Sequence, residues 1–238
     1  MRKRLLLSKD AKYLVDENVK QINTKEGVIK IEDKIAKSHL GYEFSVVEPM
    51  LIDYLEKGLK RGPQIVLPKD AALILAYTGI KQGAKIVEAG TGSAYLSIFL
   101  AWYLKPCKIY SYEREERFYK IAKENIKEIG LEEFFELKNK DILNGIEEKD
   151  VDMVILDMEE SYKIIESAYN ALKPGGFLVV ICPYIESLER NVKEIKKFNF
   201  DIKVLENIVR EWKTDYYIRP KTIGFMHSTF IIIARKIL

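Results

Sequence analysis

The stretch Lys85–Leu96, KIVEAGTGSAYL, decides how the rest of the chain is interpreted. A short apolar strand candidate runs into two glycines, Gly90 and Gly92, and an apolar helix candidate begins directly afterwards. Glycine lets a ligand approach the backbone because no Cβ stands in the way, and the start of the next helix offers N–H groups. The pattern predicts a strand, a loop and a helix that line a nucleoside-type site. A tight strand-to-helix turn without a ligand is the other interpretation of this motif alone.

Downstream of this loop, strand-like and helix-like segments alternate along the chain. Strands separated by helices are typical of a doubly wound α/β fold, in which both faces of a mostly parallel sheet are covered. The predicted strands are Lys85–Glu88, Lys108–Tyr112, Phe134–Lys138, Val151–Leu156 and Phe177–Cys182. The predicted helices are Tyr95–Leu104, Glu115–Ile129, Tyr162–Leu172 and Leu188–Lys197. Near the carboxyl end, the runs FDIKVLENIVRE (200–211) and STFIIIARKI (228–237) predict an antiparallel hairpin at the sheet edge.

The amino-terminal part of the chain has a different pattern. Residues 1–60 contain short β-like pieces punctuated by glycine, and a short helix is predicted near Met50–Lys60. We therefore expect two domains, a small β-rich module at 1–60 and an α/β domain at 61–238. A helix whose N-cap is Asp70 should open the second domain.

Composition narrows the class of protein. The chain has 238 residues, with 47% hydrophobic and 32% charged side chains, which is typical of a globular protein. No apolar run approaches the ~18 residues that cross a membrane, and the opening MRKRLLLSKD is too short for a signal peptide. We therefore expect a cytoplasmic protein.

Cys107 and Cys182 lie far apart, and only His39 and His227 could join them, so no metal site is expected. The net charge of +3 is a weak indication of an anionic partner.

Acidic residues follow successive predicted strands. Glu113 lies about 20 residues beyond the glycine loop, where an acid can accept hydrogen bonds from both hydroxyls of a ribose. Asp141 follows the third strand and could accept from an adenine amino group; a helix cap or a solvated loop is the alternative for each acid alone. The loop GTGSAY has Tyr95 where the NAD fingerprint has its third glycine. Glu88 would repel a diphosphate and suits a cation. S-adenosylmethionine, which carries a sulfonium, an ammonium and no phosphate, is therefore favoured over NAD.

These residues carry a family resemblance. The runs that resemble class I S-adenosylmethionine-dependent methyltransferases are VEAGTGS (87–93) and ALKPGGFLVV (171–180), together with the antiparallel tail. More specific runs resemble the tRNA (adenine-N1)-methyltransferases that act on T-loop adenines, at position 58 and in archaeal members also at 57. They are RGPQIVLPKDAALIL (61–75), VREW (209–212) and IRPKTIGFMHSTFIIIARK (218–236). The resemblance extends from about Gly27 to the end of the chain, and it includes the amino-terminal β module.

The resemblance implies a tRNA substrate, S-adenosylmethionine as cofactor and a homotetramer. It places Asp157, in VILDMEES, beside the target base at the end of the fourth strand. A carboxylate there that accepts from the exocyclic N6 would orient the adenine and stabilise the positive charge that develops when N1 is methylated. An acid that caps the following helix is the other interpretation of Asp157. The predicted cofactor-binding residues are Glu88, Gly90, Gly92, Ser93, Ala94, Tyr95, Leu96, Glu113, Asp141, Ile142 and Asp157.

Further family positions point to the substrate side, and three of them differ from the family pattern. Leu67 stands where members carry Tyr or His near the target base, and Arg219 matches a family position near a subunit interface or the RNA. His227 matches a family histidine in the loop before the last strand, where lining the site and a structural role in the loop are the two interpretations. Ala94 replaces a usual glycine. The run Met158–Tyr162 replaces a proline-and-aromatic run that usually follows the acid, and it adds two acids.

These departures keep two alternatives open. The first is a non-catalytic RNA-binding protein or subunit on the same fold. The second is a methyltransferase for another acceptor, such as an isoaspartyl peptide, because GTGSAY also resembles the loop of protein L-isoaspartate O-methyltransferases.

Overall fold

A computed structural model describes residues 3–62, 64–222 and 228–237 of the chain. The chain forms two compact units: Met1–Arg61 with Glu124–Gly130, and Gly62–Lys123 with Leu131–Leu238. The predicted division into independent domains at 1–60 and 61–238 stays a prediction. Within the described ranges, no helix is long and apolar enough to cross a bilayer. Over the same residues, no group of three or more His, Cys, Asp or Glu side chains is arranged to hold a metal ion.

The smaller unit contains a six-stranded antiparallel sheet in the order β2-β1-β6-β5-β4-β3. Its strands are β1 (Lys3–Leu7), β2 (Lys12–Asp16), β3 (Gln21–Thr24), β4 (Gly27–Ile31), β5 (Ile35–Ser38) and β6 (Glu43–Val47). Leu6, Ile29 and Phe44 are fully or almost fully buried at its core. The predicted β-rich module is therefore confirmed. The short strands β3 and β5 were not predicted, because each has too few apolar residues to show an alternating pattern.

A short helical segment follows β6. Helix α1 (Leu51–Asp53) continues into a wider helical turn at Tyr54–Gly58. The carboxylate of Asp53 accepts a hydrogen bond from the backbone N–H of Met50 at 2.9 Å, which satisfies a donor at the start of the helix. The short helix predicted near Met50–Lys60 is therefore present.

The larger unit is built on a seven-stranded sheet in the order β12-β15-β11-β10-β7-β8-β9. The strands β7 to β11 pair in parallel, whereas β15 runs antiparallel to both β11 and β12. The mostly parallel sheet with an antiparallel carboxyl-terminal hairpin is thus confirmed. These strands are β7 (Lys85–Ala89), β8 (Lys108–Tyr112), β9 (Phe135–Lys138), β10 (Val151–Leu156), β11 (Leu172–Cys182), β12 (Phe200–Glu206) and β15 (Phe230–Lys236); β13 (Trp212–Lys213) and β14 (Arg219–Pro220) form a separate ribbon.

The described part of the chain contains five further α-helices: α2 (Pro68–Thr78), α3 (Tyr95–Leu104), α4 (Glu116–Glu128), α5 (Ile165–Ala171) and α6 (Ile185–Ile195). The end of α4, from Glu124, belongs to the smaller unit. The predicted N-cap Asp70 is wrong. The N-cap of α2 is Leu67, because Pro68 at the first helical position fixes a helical φ and needs no hydrogen bond for its nitrogen. Asp70 lies in the first helical turn and its side chain is buried beside Lys69. The region predicted as one helix at Tyr162–Leu172 is a single turn at Ser161–Ile164 followed by α5.

The order of the strands places the functional end of the sheet. From β7, the chain winds to β8 and β9 on one side and to β10 and β11 on the other. A doubly wound sheet binds its ligands beyond the carboxyl ends of the strands where this winding reverses. Here that point lies between β7 and β10, and the residues that follow these two strands are Gly90 and Asp157.

Candidate active site

The glycine loop is tied to the end of the neighbouring strand β8. The N–H of Gly90 donates to the carbonyl of Tyr112 at 3.2 Å, and the hydroxyl of Thr91 donates to the same carbonyl at 3.1 Å. Gly90 and Gly92 have φ angles of 80° and 56°, which are in the left-handed region that glycine tolerates best. Both predicted glycines are therefore required by the backbone conformation of the loop.

Gly90 also lies against the backbone of Asp157. The N–H of Asp157 donates to the carbonyl of Ala89 at 2.9 Å, which continues the β7–β10 pairing by one residue. A Cβ built on Gly90 would overlap the carbonyl of Asp157. The sequence indicated that a ligand would approach the backbone at these glycines, but at Gly90 it is the chain itself that comes close. At Gly92 the nearest atom to such a Cβ is the Gly90 carbonyl oxygen at 3.9 Å.

The residues after Gly92 form a buried start to helix α3. Ala94 is its N-cap and has a φ of 62°, a conformation that costs a residue with a Cβ roughly 1–2 kcal/mol. This explains in physical terms why glycine suits the position. Ser93, Ala94, Tyr95 and Leu96 are all buried, so a ligand at this loop would meet mainly backbone.

Glu113 faces the loop from the end of β8. One carboxylate oxygen accepts from the N–H of Gly92 at 2.8 Å, and the other accepts from the N–H of Glu115 at 2.9 Å. The side-chain amide of Asn139 donates to the Glu113 carbonyl at 2.8 Å, which links the ends of β8 and β9. The Glu113 carboxylate is therefore held in a fixed orientation next to the glycine loop.

A cleft of about 600 Å³ opens beside Glu113 and contains the predicted Asp141 and Ile142. Asp141 accepts from the N–H of Leu143 at 2.9 Å and so caps the turn that follows it. The guanidinium of Arg114 lies 3.8 Å from Asp141 and 3.6 Å from Glu160. The lining residues are Gly90, Tyr112, Glu113, Arg114, Lys140, Asp141, Ile142, Met158, Glu159 and Glu160, and we call this the cofactor cleft.

A second cleft, of about 1020 Å³, contains Asp157. It shares the lining residues Met158 and Glu159 with the cofactor cleft, so the two clefts are adjacent at the end of β10. The lining residues are Gln64, Asp157, Met158, Glu159, Tyr162, Ile181, Pro183, Tyr184, Glu186, Ser187 and Arg190, and we call this the acceptor cleft. Asp157 lines the acceptor cleft, and its backbone carbonyl lies against Gly90, which lines the cofactor cleft.

Two acids at this point of the sheet have raised pKa values. Desolvation raises the pKa of the half-buried Asp157 to about 7. Desolvation also raises the pKa of the buried Glu88 to about 7, and the nearby Asp157 and Glu113 carboxylates add to this shift. Hydrogen bonds from Ser111, at 2.7 Å, and from Ser97 act in the opposite direction. A cation bound here would favour the ionised form of both acids.

The donor and acceptor set fits S-adenosylmethionine. Glu113 and Asp141 offer carboxylate acceptors to a nucleoside, and Glu88 and Asp157 provide negative charge near the glycine loop for the cationic part of the molecule. The same acids would be unfavourable for the pyrophosphate of NAD. The residues predicted on the cofactor side are thus brought together around one loop and one cleft.

The remaining predicted residues are those assigned to the substrate side. Leu67 is 47% exposed and lines neither cleft, and Arg219 lies in the exposed ribbon strand β14. His227 lies outside the described residues. Sequence analysis missed Arg114, Tyr184 and several other lining residues, because loop side chains show no periodic pattern. Their position directly after predicted strands was the one available signal.

Fold and site together define an S-adenosylmethionine-dependent methyltransferase. The family described as "tRNA methyltransferase complex GCD14 subunit" matches residues 55–224, and the chain belongs to this family. The chain is 33% identical to the tRNA (adenine(57)-N(1)/adenine(58)-N(1))-methyltransferase TrmI of Methanocaldococcus jannaschii, over 98% of this chain and 94% of the relative. It is 31% identical to the tRNA (adenine(58)-N(1))-methyltransferase TrmI of Thermus thermophilus, over 85% and 80% of the two chains.

Solved structures agree with the fold. A crystal structure described as an S-adenosylmethionine-dependent O-methyltransferase from Thermotoga maritima has a TM-score of 0.89 and 31% identity, and covers 100% of this chain and 93% of its own. The tRNA (m1A58) methyltransferase TrmI from Aquifex aeolicus has a TM-score of 0.83 and 23% identity, with 99% and 97% coverage. The predicted class I methyltransferase fold is confirmed.

Proposed function

We propose that the protein transfers a methyl group from S-adenosylmethionine to N1 of the T-loop adenine at position 58 of tRNA, with position 57 as a further target. The observation that carries the proposal is that Asp157 lines the acceptor cleft while its backbone lies against Gly90 of the cofactor cleft. Membership of the tRNA methyltransferase family and the names of two relatives support the choice of acceptor.

Asp157 is the proposed catalytic residue. Adenine N1 has a lone pair and needs no base to become a nucleophile. As the bond from N1 to the methyl group forms, the carbon–sulfur bond breaks, its electron pair passes to sulfur, and the adenine ring becomes cationic. The ionised carboxylate would accept a hydrogen bond from N6 and offset that charge where it develops. Among the described residues, none donates a hydrogen bond to the Asp157 carboxylate in competition with a base.

The proposed cofactor site uses the residues around the glycine loop. S-adenosylmethionine supplies an electrophilic methyl group on its sulfonium when it is bound. Glu113 would accept from the ribose hydroxyls, and Asp141 and Ile142 would line the adenine site. Glu88 would provide negative charge near the loop, Gly90 would line the cofactor cleft, and Gly92 would leave the backbone accessible. The remaining proposed contacts follow the start of α3: Ser93, Ala94, Tyr95 and Leu96.

The decisive experiment is methyl transfer from labelled S-adenosylmethionine to an unmodified tRNA transcript, with the product mapped by mass spectrometry. We expect N1-methyladenosine at position 58, and none in a transcript with guanine at that position. Asp157→Asn should lower the transfer rate about 100- to 1000-fold and should leave cofactor binding, measured by calorimetry, within a few-fold of the parent. Full activity of Asp157→Asn would remove the proposed role.

The same assay separates the alternatives. Cofactor binding without transfer to tRNA, but with transfer to an isoaspartyl peptide, would identify a different acceptor. Failure to bind S-adenosylmethionine at all would indicate a non-catalytic RNA-binding subunit.

Two further parts of the proposal concern the oligomeric state of the protein and its cellular compartment. We propose a homotetramer, in keeping with the family resemblance, that acts in the cytoplasm. The segment around β13 and β14 supports self-association, because several of its large apolar side chains are exposed: Trp212, Tyr216, Tyr217 and Ile218. Light scattering coupled to size exclusion should give four times the 27.6 kDa mass of one chain. A monomer at micromolar concentration would contradict this part of the proposal.

A further inference from the structure

The acceptor cleft presents an exposed aromatic ring at its edge. Tyr184 is the N-cap of α6 and its side chain is 63% exposed. The next residue, Ile185, is 57% exposed. Adjacent exposed side chains of this size at a cleft form an apolar patch of the kind that marks a binding surface. No sequence motif pointed to this residue.

Strand register brings Tyr184 near Asp157. Strands β10 and β11 are parallel neighbours, with Leu156 opposite Val180. The next residues along the two strands are Asp157 and Ile181, and adjacent strands lie about 4.8 Å apart. Tyr184 follows Ile181 by three residues, and all three side chains line the same cleft. A base that meets Asp157 in this cleft therefore shares the cleft with Tyr184.

The charges of the acceptor cleft suit a base better than a phosphate. Its lining includes the acids Asp157, Glu159 and Glu186, and among the described lining residues Arg190 alone is basic. Such a surface repels the RNA backbone and favours a base that becomes cationic during methylation. The target base is held in a folded tRNA and must leave its stack to reach the enzyme, which costs a few kcal/mol that contacts in the cleft must offset.

We propose that Tyr184 is the platform on which the extruded adenine stacks, an inference that rests on the proposed tRNA methylation. Leu67, at the position where the family carries an aromatic residue or histidine, does not line the cleft and has no ring to offer. Tyr162 lines the cleft but is partly buried, and the ammonium of Lys163 lies 5.9 Å from its ring centre. Tyr184 thus supplies the aromatic surface that base recognition in RNA commonly uses.

The test compares Tyr184→Leu with Tyr184→Phe and with Tyr103→Leu as a control. Tyr103 is a similarly exposed tyrosine, at 52%, near the end of α3 and outside both clefts. Aromatic stacking on a base predicts that Tyr184→Leu lowers kcat/KM for tRNA by roughly 10- to 100-fold. Tyr184→Phe and Tyr103→Leu should stay within about threefold of the parent. The dissociation constant for S-adenosylmethionine should be unchanged in all three, because Tyr184 is not part of the cofactor cleft.

If Tyr184→Leu fails to fold, a spectroscopic measurement on a tryptophan variant still tests the inference. In Tyr184→Trp, the added indole fluorescence should be quenched when tRNA binds, after subtraction of the signal of the parent protein. Parental kcat/KM in Tyr184→Leu, or an indole signal that tRNA leaves unchanged, would overturn the inference. A loss in Tyr184→Phe as large as in Tyr184→Leu would also overturn it. All of these outcomes presuppose a parent protein that methylates tRNA. If the parent transfers no methyl group to tRNA, it is the proposed function that fails.

Discussion

The backbone carbonyl of Asp157 occupies the space that a side chain on Gly90 would need. The glycine loop and the end of β10 are therefore packed against each other through main chain. The contact keeps the proposed catalytic acid at a fixed distance from the loop that would hold the cofactor.

Gly90→Ala should be far more damaging than Gly92→Ala. The new Cβ at position 90 meets backbone, which cannot rotate away, and a clash of this kind places the substitution among those that cost several kcal/mol of stability. At position 92 the space is open, so only the left-handed φ opposes the change, at about 1–2 kcal/mol. Urea unfolding of both variants measures the difference, and calorimetry with S-adenosylmethionine measures the loss of cofactor binding. Equal stability of the two variants would contradict the close approach of Asp157.

The methyl-transfer activity should rise with pH, because it requires the ionised carboxylate of Asp157. Desolvation raises the pKa of its carboxyl to about 7, and only the ionised form offsets the positive charge on the methylated base. The ratio kcat/KM, which reports ionisations in the free enzyme, should therefore rise with pH up to about 7 and level off above it. In Asp157→Asn the rate should be low at every pH between 6 and 9. A parental rate that falls across this range would exclude an ionised Asp157 as the active form.

The stability of the fold should fall as pH rises through the range in which Glu88 titrates. Its pKa is raised from 4.5 to about 7 in the folded protein, chiefly by burial, so the folded state holds this proton more tightly than the unfolded state. The resulting stabilisation is present below pH 4.5 and is lost as the pH rises to about 7, with a size of about 3 kcal/mol.

Glu88→Gln should remove this part of the pH dependence. Glutamine keeps an oxygen that can accept from Ser111 and carries no charge. The variant should unfold at a higher urea concentration than the parent at pH 8, and the two should converge near pH 5. It should also bind S-adenosylmethionine more weakly, if Glu88 attracts the cationic ligand. Identical pH profiles of stability for variant and parent would show that Glu88 ionises normally.

Asn125 should be a strong determinant of stability within the smaller unit. Its side-chain oxygen accepts from the N–H of Lys60, and its amide donates to the Lys60 carbonyl, both at 2.8 Å. Asn125 is 1% exposed, whereas Lys60 is exposed, so Asn125→Ala would remove the partner of two partly buried backbone groups, with an expected cost of about 1–3 kcal/mol. The neighbouring exposed Lys123 provides the control, since Lys123→Ala should change the unfolding free energy by less than about 0.5 kcal/mol. A change of that small size in Asn125→Ala would contradict the structure.

The sequence by itself determined the order of strands and helices in the α/β part and the location of the glycine loop. Periodicity and glycine placement are local properties that can be read along the chain, as the strand Lys108–Tyr112 and the helix Tyr95–Leu104 illustrate. Acids that follow successive parallel strands, such as Glu113 and Asp157, must also meet at one edge of the sheet. Their convergence was therefore predictable.

Only the tertiary structure decided which loop side chains share a cleft and how burial changes their chemistry. Leu67 directly precedes helix α2 and Tyr184 follows strand β11, yet only Tyr184 lines the acceptor cleft. The raised pKa values of Glu88 and Asp157 likewise arise from the atoms packed around them, because desolvation depends on neighbours that are distant in sequence. The approach of Asp157 to Gly90 has the same origin, since parallel pairing of β7 with β10 brings together residues separated by two α-helices and two strands.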